Sequence, residues 1–475
     1  MPIDASDVHR GQFVMTCSSA AVQAGWATRP IAQGWFLHHH PTADVRTGDD
    51  GSILIGSAAQ LRSDQPAPLE VLSRPSFDRS DTDSWAGRWG IIKGDLVASD
   101  VSALLGLVYG ETQQGACVSS SLALLALLNG DEDIPEHAAM KGWGLDWMPP
   151  PLTILPGVRR LLPGQTLRLE QGAVTLGPRA PGLLAAQLTA DEATAAFADA
   201  LVQGLRGFAS GYLLPLTAGL DSRTVLAALH VAGKPFVAFT HQHKAMSHGD
   251  RTIPAKLARR SGFEHRAVND GAYVREAEGA IDAHSHGQLH QNRHFFAHDH
   301  YAALEAHRTW TMLPGGCFEV GRCFYWPYLP ETLPADADDA VEAIIAGLNA
   351  REAAPILRDG LRAWLLDLRS RAAAAGDADW RDTFYLEQRL AGWLATTEQA
   401  TDLNGIRKLH IANSRYIFEL MLALPPEQRR AGTIQRGAIE RLTPNLLHLP
   451  VNPRPPIHVR AKAKVGAALR KARLR

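Results

Sequence analysis

A short run of small residues near the middle of the chain has the composition of an anion-binding turn. It comprises Leu216, Thr217, Ala218, Gly219, Leu220, Asp221, Ser222 and Arg223. Small side chains let backbone N–H groups approach a phosphate closely, and the start of a helix adds partial positive charge. A carboxylate at Asp221 could hold Mg²⁺ against the phosphates. The run predicts a nucleotide site, although an ordinary tight turn with a polar helix cap has the same composition.

The spacing within this run is not that of a Walker loop, because the GxxxxGK[ST] pattern is missing. It resembles the pyrophosphate loop of the N-type ATP pyrophosphatases, Ser-Gly-Gly-x-Asp-Ser. Gly219, Asp221 and Ser222 match that pattern, whereas Thr217 and Ala218 replace its first Ser and Gly. The resemblance implies that the cofactors are ATP and Mg²⁺ and that Asp221 is a metal ligand.

The segments around the run predict how it is positioned. Short apolar segments from Tyr212 to Leu216 and from Pro235 to Thr240 have the length of strands, and a helix is predicted between them from about Ser222 to Ala232. Such a βαβ unit implies a parallel sheet. Another helix is predicted from Thr189 to Gly207, behind a Thr-Ala-Asp-Glu start.

A change of pattern near residue 180 predicts two domains. Before it, strand-length apolar segments separated by Gly, Asp and Pro lie at residues 52–56, 90–92, 96–98, 116–119 and 165–169. Gly172 to Gly182 has the composition of a linker, and the chain beyond it is mainly helical in pattern. We therefore predict a two-domain α/β protein, with a β-rich domain at 1–180 and a second domain at 181–475.

The bulk composition excludes several classes of protein. Of 475 residues, 45% are hydrophobic and 20% are charged, which is typical of a globular protein and excludes disorder or a fibre. Lys plus Arg number 48 and Asp plus Glu 49, so no global charge favours nucleic acid or a membrane surface. The four cysteines form no CxxC pair, and no signal peptide or membrane-spanning run is present. We expect a cytoplasmic protein with neither a nucleic acid nor a membrane as partner.

Further segments resemble the asparagine synthetase family in the same order along the chain. In the first half, Trp85 to Gly110 resembles the paired strands of the family's N-terminal domain with the Asp100 turn, and Leu155 to Gly164 resembles the turn that closes that domain. In the second half, Pro314 to Arg322 resembles the second active-site loop, Gly-x-Gly-x-Asp-Glu, and Ser414 to Arg429 resembles a late helix with a Pro-Pro turn. The resemblance implies an Ntn-glutaminase-like αββα domain followed by a PP-loop domain of the adenine nucleotide α-hydrolase type. It also adds Thr240 and Gly316 to the nucleotide site and Glu319 to the catalytic and metal-binding residues.

Two departures from the family pattern bear on function. Pro2 stands where glutamine-dependent members carry a nucleophilic cysteine, and Cys17 lies too far along the chain to replace it. The N-terminal domain is therefore expected to be degenerate, without glutaminase activity. In the second loop, Phe318 stands where the family has Asp. Glu319 then either ligates Mg²⁺ opposite Asp221 or pairs with a cation, and a solvated loop glutamate is the alternative.

Without glutamine chemistry, the resemblance leaves two kinds of enzyme that activate a carboxylate as an acyl-adenylate for attack by an amine. β-Lactam synthetases close a small ring in a metabolite, and lasso peptide cyclases close a macrolactam in a ribosomal peptide. The former carry a tyrosine that would fall near Gly315 or Gly316, so a lasso peptide cyclase is favoured. Its partners would be a precursor peptide and a leader peptidase or recognition protein. A small-molecule amide ligase and a catalytically dead peptide-binding relative remain alternatives.

A lysine near the reacting carbon would stabilise the tetrahedral intermediate of amide formation. Lys464 lies in a segment that resembles the Lys-x-Gly near the C-terminus of the lactam-forming members, and Lys462 is the alternative. The stretch from Arg454 to Arg475 holds only basic residues among its charged ones, which is also typical of a solvated tail.

A histidine-rich segment precedes the second loop. His290, His294 and His298 are spaced to share one helix face, and three more lie nearby: His284, His286 and His300. Since no HExxH motif or cysteine partner accompanies them, a polar cleft face or a solvated helix is a better interpretation than a zinc site.

Overall fold

The computed structural model describes residues 7–131, 145–243, 246–269, 275–289, 304–350, 352–371 and 378–455. Several residues singled out above lie outside these ranges: Pro2, His290, His294, His298, His300, Lys462 and Lys464. Each helix that is described is too short or too polar to span a bilayer.

Two six-stranded antiparallel sheets form the N-terminal half. The first contains β1 (Phe13–Thr16), β2 (Ala27–Pro30), β3 (Phe36–His39), β8 (Val108–Thr112), β9 (Gly115–Ser119) and β10 (Arg159–Arg160). The second contains β4 (Val45–Thr47), β5 (Ile53–Gln60), β6 (Trp85–Lys93), β7 (Leu96–Ser99), β11 (Thr166–Glu170) and β12 (Ala173–Leu176). Their strand orders are β10-β8-β9-β1-β3-β2 and β12-β11-β7-β6-β5-β4.

Apolar side chains on both faces of these sheets build four layers. Because side chains alternate along a strand, each sheet has an inner and an outer face. Phe13 of β1 and Ile53 of β5 belong to one core between the two sheets. Helix α1 (Pro68–Ser73) covers the outer face of the second sheet, and α2 (Leu122–Leu128) covers that of the first. The layers therefore run helix, sheet, sheet, helix.

A four-stranded parallel sheet lies in the C-terminal half. It contains β13 (Tyr212–Pro215), β14 (Phe236–Gln242), β15 (His265–Asn269) and β16 (Thr311–Met312), in the order β15-β14-β13-β16. The helices are α3 (Ala190–Phe208), α4 (Leu220–Ala232), α5 (His248–Ser261), α6 (Arg275–Ser285), α7 (Ala337–Gly347), α8 (Pro355–Ser370), α9 (Trp380–Phe384), α10 (Ala395–Thr401), α11 (Arg415–Leu422), α12 (Pro426–Ala431) and α13 (Thr433–Leu442). Between α9 and α10 the backbone is π-helical over Tyr385–Leu394.

Most of the predicted elements are present. The βαβ unit is confirmed, and α4 begins at Leu220, slightly earlier than predicted. Helix α3 begins as predicted, because Thr189 and Glu192 exchange the hydrogen bonds of a capping box. The predicted linker begins too early in the chain, so the prediction is wrong for its first residues. Residues 173–176 form β12, since Gly172, at φ +75°, turns the chain into a hairpin.

Polar contacts hold the two halves together. The two terminal guanidinium nitrogens of Arg88 donate to the Asp402 carboxylate, at 2.7 and 3.0 Å. Asn413 donates from Nδ2 to Asp100 Oδ1 at 2.8 Å and to the Gly87 carbonyl at 2.6 Å. Gly87 has φ +127°, and a β-carbon there would collide with the Ser57 carbonyl oxygen. Asp100 is buried and also accepts from backbone N–H groups of its own turn, so its role here is structural.

Candidate active site

The two loops singled out from the sequence lie side by side at the carboxyl edge of the parallel sheet. The first joins β13 to α4, and the second follows β16 and leads into a 3₁₀ helix, Phe318–Arg322. A β-carbon at Gly315 would lie 3.5 Å from the backbone nitrogen of Ser222. This edge is where open α/β sheets bind ligands.

Much of the first loop is bonded within the protein. The N–H groups of the three residues before α4 have these acceptors: Ser222 Oγ for Thr217 (3.1 Å), Asp250 Oδ1 for Ala218 (2.7 Å) and Thr217 Oγ1 for Gly219 (3.2 Å). The first N–H groups of a helix, here from Leu220 onward, have no partner within the helix. The candidate anion site therefore centres on the first turn of α4 instead of the whole loop.

The Arg223 side chain is fully buried and lies behind the loop. Its guanidinium donates to four carbonyl oxygens: Ala218 (3.0 Å), Leu446 (3.1 Å), Leu449 (2.7 Å) and Pro450 (2.6 Å). Burial lowers the pKa of this guanidinium to about 10. The side chain fastens the loop to residues 446–450, so any contact between Arg223 and a nucleotide would come from its backbone.

Two acidic side chains, Asp221 and Glu319, come together between the loops. Arg322 Nη1 lies 2.6 Å from Asp221 Oδ2. Oε2 of Glu319 is buried, and the described residues offer it no hydrogen-bond partner. Burial first, and then the neighbouring Asp221, raise the pKa of Glu319 to about 7. Burial also raises the pKa of Asp221, although Arg322 opposes that rise. The two carboxylates therefore repel each other.

A divalent cation fits this arrangement, because it would relieve the repulsion and provide a partner for Glu319 Oε2. Mg²⁺ needs an octahedral set of oxygen ligands. Within the described ranges, no group of three or more His, Cys, Asp or Glu residues could hold a metal ion. Asp221 and Glu319 can thus be only part of a Mg²⁺ site, and phosphate and water oxygens would complete it.

The raised pKa of Glu319 predicts a pH-dependent site. At low pH the bound proton stabilises the fold, and this stabilisation is lost as the pH rises through about 7. Metal binding needs the ionised form, so we expect the affinity for Mg²⁺ with ATP to rise about tenfold between about pH 6 and pH 8. Titration calorimetry of the parent and of Glu319→Gln at the same pH values separates the contribution of Glu319 to this pH dependence from the titration of ATP itself. An equal rise in both proteins would contradict the prediction.

A cavity of about 350 Å³ opens beside the two loops. Its apolar wall includes Phe239, Met246 and Met312, and Thr217 and Thr240 line the side next to the first loop. The Thr240 hydroxyl donates to the Leu216 carbonyl at 2.7 Å, which ties the ends of β13 and β14 together. A lining that combines an apolar wall with polar groups is typical of small-molecule sites.

Comparisons with known proteins add little to this geometry. No protein-family model matches the chain, and no curated protein matches it. NMN synthetase from Francisella tularensis is a solved structure with weak similarity: it is 16% identical, the match covers 51% of this chain and 97% of that one, and the TM-score is 0.21. A TM-score of 0.21 does not indicate a shared fold. What the site can do follows from its own residues.

A larger cavity, of about 530 Å³, lies between the two halves of the protein. Arginine and tryptophan side chains line it, among them Arg79, Arg179 and Trp89. None of the described residues that the sequence assigned to the nucleotide or metal site borders this cavity. We therefore place the candidate active site at the smaller one.

A buried ion pair that the sequence did not predict supports the second loop. Arg429 Nη2 lies 2.6 Å from Asp382 Oδ2, and Arg429 Nε donates to the Gly321 carbonyl at 3.1 Å. Phe318 is buried and packs edge-on against Phe197, with ring centroids 6.1 Å apart. At the position where the sequence resemblance predicts an acidic residue, this chain thus has a core residue, and Glu319 is the acidic residue left in the loop.

We expect Asp382→Asn to destabilise the protein and its second loop. The Arg429 and Asp382 side chains are only 6% and 2% exposed, so the change leaves a buried guanidinium without its anion. Breaking a buried pair costs about 3 kcal/mol or more in the free energy of unfolding. Urea unfolding measures this loss. The control is Asp64→Asn, because Asp64 forms an exposed pair with Arg62, whose loss should cost less than about 1 kcal/mol. Equal losses in both variants would contradict the assigned role.

Of the histidine-rich segment, the structure describes His284 and His286. Both are buried, and the ring nitrogens of His284 lie 2.5 Å from the Val8 carbonyl oxygen and 2.8 Å from that of Gln399. His284 is therefore a structural contact and not part of a cleft face.

Proposed function

We propose that this protein is an ATP-dependent, AMP-forming amide synthetase of the asparagine synthetase type. The observation that carries the proposal is the meeting of Asp221 and Glu319 beside the first turn of α4, next to a cavity of about 350 Å³. A helix start favours phosphate, and paired carboxylates favour a divalent cation. Together they suit an enzyme that releases pyrophosphate from ATP.

The residues divide the proposed chemistry between them. In the first step an acyl carboxylate oxygen bonds to the α-phosphorus of ATP as the bond to the pyrophosphate oxygen breaks. The N–H groups at the start of α4 receive the departing pyrophosphate. Asp221 and Glu319 would hold Mg²⁺, which supplies positive charge against that leaving group. In the second step an amine attacks the acyl carbon, and AMP leaves.

The substrate that we propose is a ribosomal precursor peptide, in which a side-chain carboxylate and the N-terminal amine join as a macrolactam. The protein would then act as a lasso peptide cyclase, alongside a leader peptidase and without glutaminase activity of its own. Holding both reacting groups in one site supplies the entropic advantage of an intramolecular reaction. Lys464 or Lys462 would stabilise the oxyanion.

Incubation of the pure protein with ATP, Mg²⁺ and a precursor peptide tests the proposal. AMP together with a peptide product lighter by one water supports a cyclase. AMP formation only with a small carboxylate and amine identifies a small-molecule ligase, and it refutes the peptide assignment. Binding of peptide without AMP formation from any substrate indicates a catalytically dead relative and refutes the enzymatic proposal as a whole.

A further inference from the structure

A lysine in the wall of the smaller cavity has no part in the chemistry described so far. The backbone of Lys408 pairs in parallel with Met312 of β16, which places it next to the second loop. Its side chain lines the same cavity as Thr217, Thr240 and Gly315. Among the described residues that line this cavity, Lys408 is the only lysine or arginine.

The ammonium group of Lys408 is held by helix α10. It donates to Glu398 Oε2 at 2.8 Å and to the Thr401 hydroxyl, and His410 Nε2 lies 3.3 Å from the same glutamate oxygen. Burial raises the pKa of Glu398, but Lys408 and His410 lower it by a larger amount. The pKa of Glu398 therefore lies well below its usual range. Glu398 and Lys408 are therefore a charged pair, with side chains 6% and 15% exposed.

The position of this pair favours a role in binding. A buried ion pair is seldom more stabilising than apolar residues of the same size, so stability alone gives little reason for it. An ammonium has three N–H donors. Within the part of the chain that the structure describes, two bonds to protein acceptors are formed, which leaves one donor for a ligand in the cavity.

The layout of the cavity indicates which part of a nucleotide Lys408 would meet. The pyrophosphate end belongs at the first turn of α4, beside Asp221, and the base belongs against the apolar wall that contains Phe239 and Met312. The α-phosphate lies between these two ends of ATP. Lys408 lines the cavity together with Gly315 and the apolar wall, so its ammonium, although paired with Glu398, can donate to a phosphate held between the two ends.

We propose that Lys408 binds the α-phosphate of the nucleotide, the group that the acyl carboxylate attacks, while Glu398 and Thr401 hold its ammonium in place. This inference rests on the proposed function. During attack, the carboxylate oxygen bonds to the α-phosphorus and pyrophosphate leaves with the electron pair of the broken bond. Lys408 keeps its proton throughout and stabilises the negative charge on the α-phosphate oxygens.

Binding of AMP and of adenosine, without Mg²⁺ and without an acyl substrate, tests the proposal by calorimetry. These two probes differ only in the α-phosphate. Lys408→Met should weaken AMP binding by about tenfold to a hundredfold, as expected for a lost charge-assisted hydrogen bond. Its affinity for adenosine should not change. The matched control is Lys93→Met, because Lys93 is also a buried lysine paired with an acid, Asp50, but lies in the N-terminal half.

A second variant separates binding from folding. Lys408→Met leaves Glu398 without its lysine partner, so the double variant Lys408→Met with Glu398→Gln removes both charges of the pair and should show the same loss of AMP affinity. Equal AMP affinity in the parent and in both variants overturns the role of Lys408 and leaves the proposed function standing. A parent protein that binds neither AMP, adenosine nor ATP overturns the proposed function and this inference with it.

Discussion

Replacing Asp221 with Asn is expected to lower the rate of AMP formation about a hundredfold to a thousandfold, the usual cost of losing one electrostatic element of a transition state. The change keeps the shape of the side chain but removes the charge that, under the proposed function, would hold Mg²⁺ where negative charge builds up. The rate is measured with saturating ATP over a range of Mg²⁺ concentrations. Ser222→Ala should lose less, since the Ser222 hydroxyl bonds mainly to Thr217.

The fold should tolerate Asp221→Asn. Asp221 lies in the first turn of α4, and Gly219 is the residue that caps the helix, so no cap is lost. Arg322 loses its partner, but its side chain is 33% exposed and stays solvated, and repulsion of Glu319 falls. We expect the free energy of unfolding to change by less than about 1 kcal/mol. AMP formation at the parent rate with the same Mg²⁺ dependence would refute the assignment of this site.

Arg223→Met should be the most destabilising single change in the site. It leaves four carbonyl oxygens without their donor, and hydrogen bonds to a charged group contribute about 1.5–3 kcal/mol each. These contributions do not add fully, so we expect a loss of at least about 4 kcal/mol in the free energy of unfolding. Urea denaturation followed by circular dichroism measures it.

Two further variants make the Arg223 experiment specific. Arg223→Lys keeps the charge, but a single ammonium cannot reach four carbonyls, so it should recover only part of the stability. Arg206→Met is the control, because Arg206 is exposed on α3 and makes one long contact, 3.4 Å, with the Val231 carbonyl. A loss in Arg223→Met no larger than in Arg206→Met would show that the four bonds do not stabilise the loop.

The sequence predicted local structure well where the signal is local. The apolar runs around residues 212–216 and 235–240 and the cap at Thr189 each depend on neighbouring residues, and the structure confirms them. The prediction of a linker at Gly172 is wrong, because a glycine at a hairpin turn and one in a linker give the same local signal. How the N-terminal half relates to glutaminases, and where the domain boundary lies, stay predictions.

The residues that sequence reasoning missed depend on distant contacts. Arg322 lies within the loop that the resemblance identified, yet its pairing with Asp221 joins positions 101 residues apart. Lys408 carries no local motif, and it reaches the cavity only because its strand-like segment lies beside Met312. Conversely, Arg223 was assigned from its place in a motif, and only the fold shows that its guanidinium turns to residues 446–450. The roles of Lys462 and Lys464 lie outside the described residues.

The contact between Asn413 and Asp100 has a consequence for synthesis of the chain. The two residues are 313 positions apart, so the buried Asp100 carboxylate must wait for its amide partner until most of the protein has been translated. At about 5–20 residues per second, that delay is about 15–60 s. During this time the N-terminal sheets can form, but the sheet surface around Gly87, which Asn413 later contacts, stays open to water and to other nascent chains. A nascent chain that ends before residue 413 therefore lacks the amide that bonds to the Gly87 carbonyl and to Asp100.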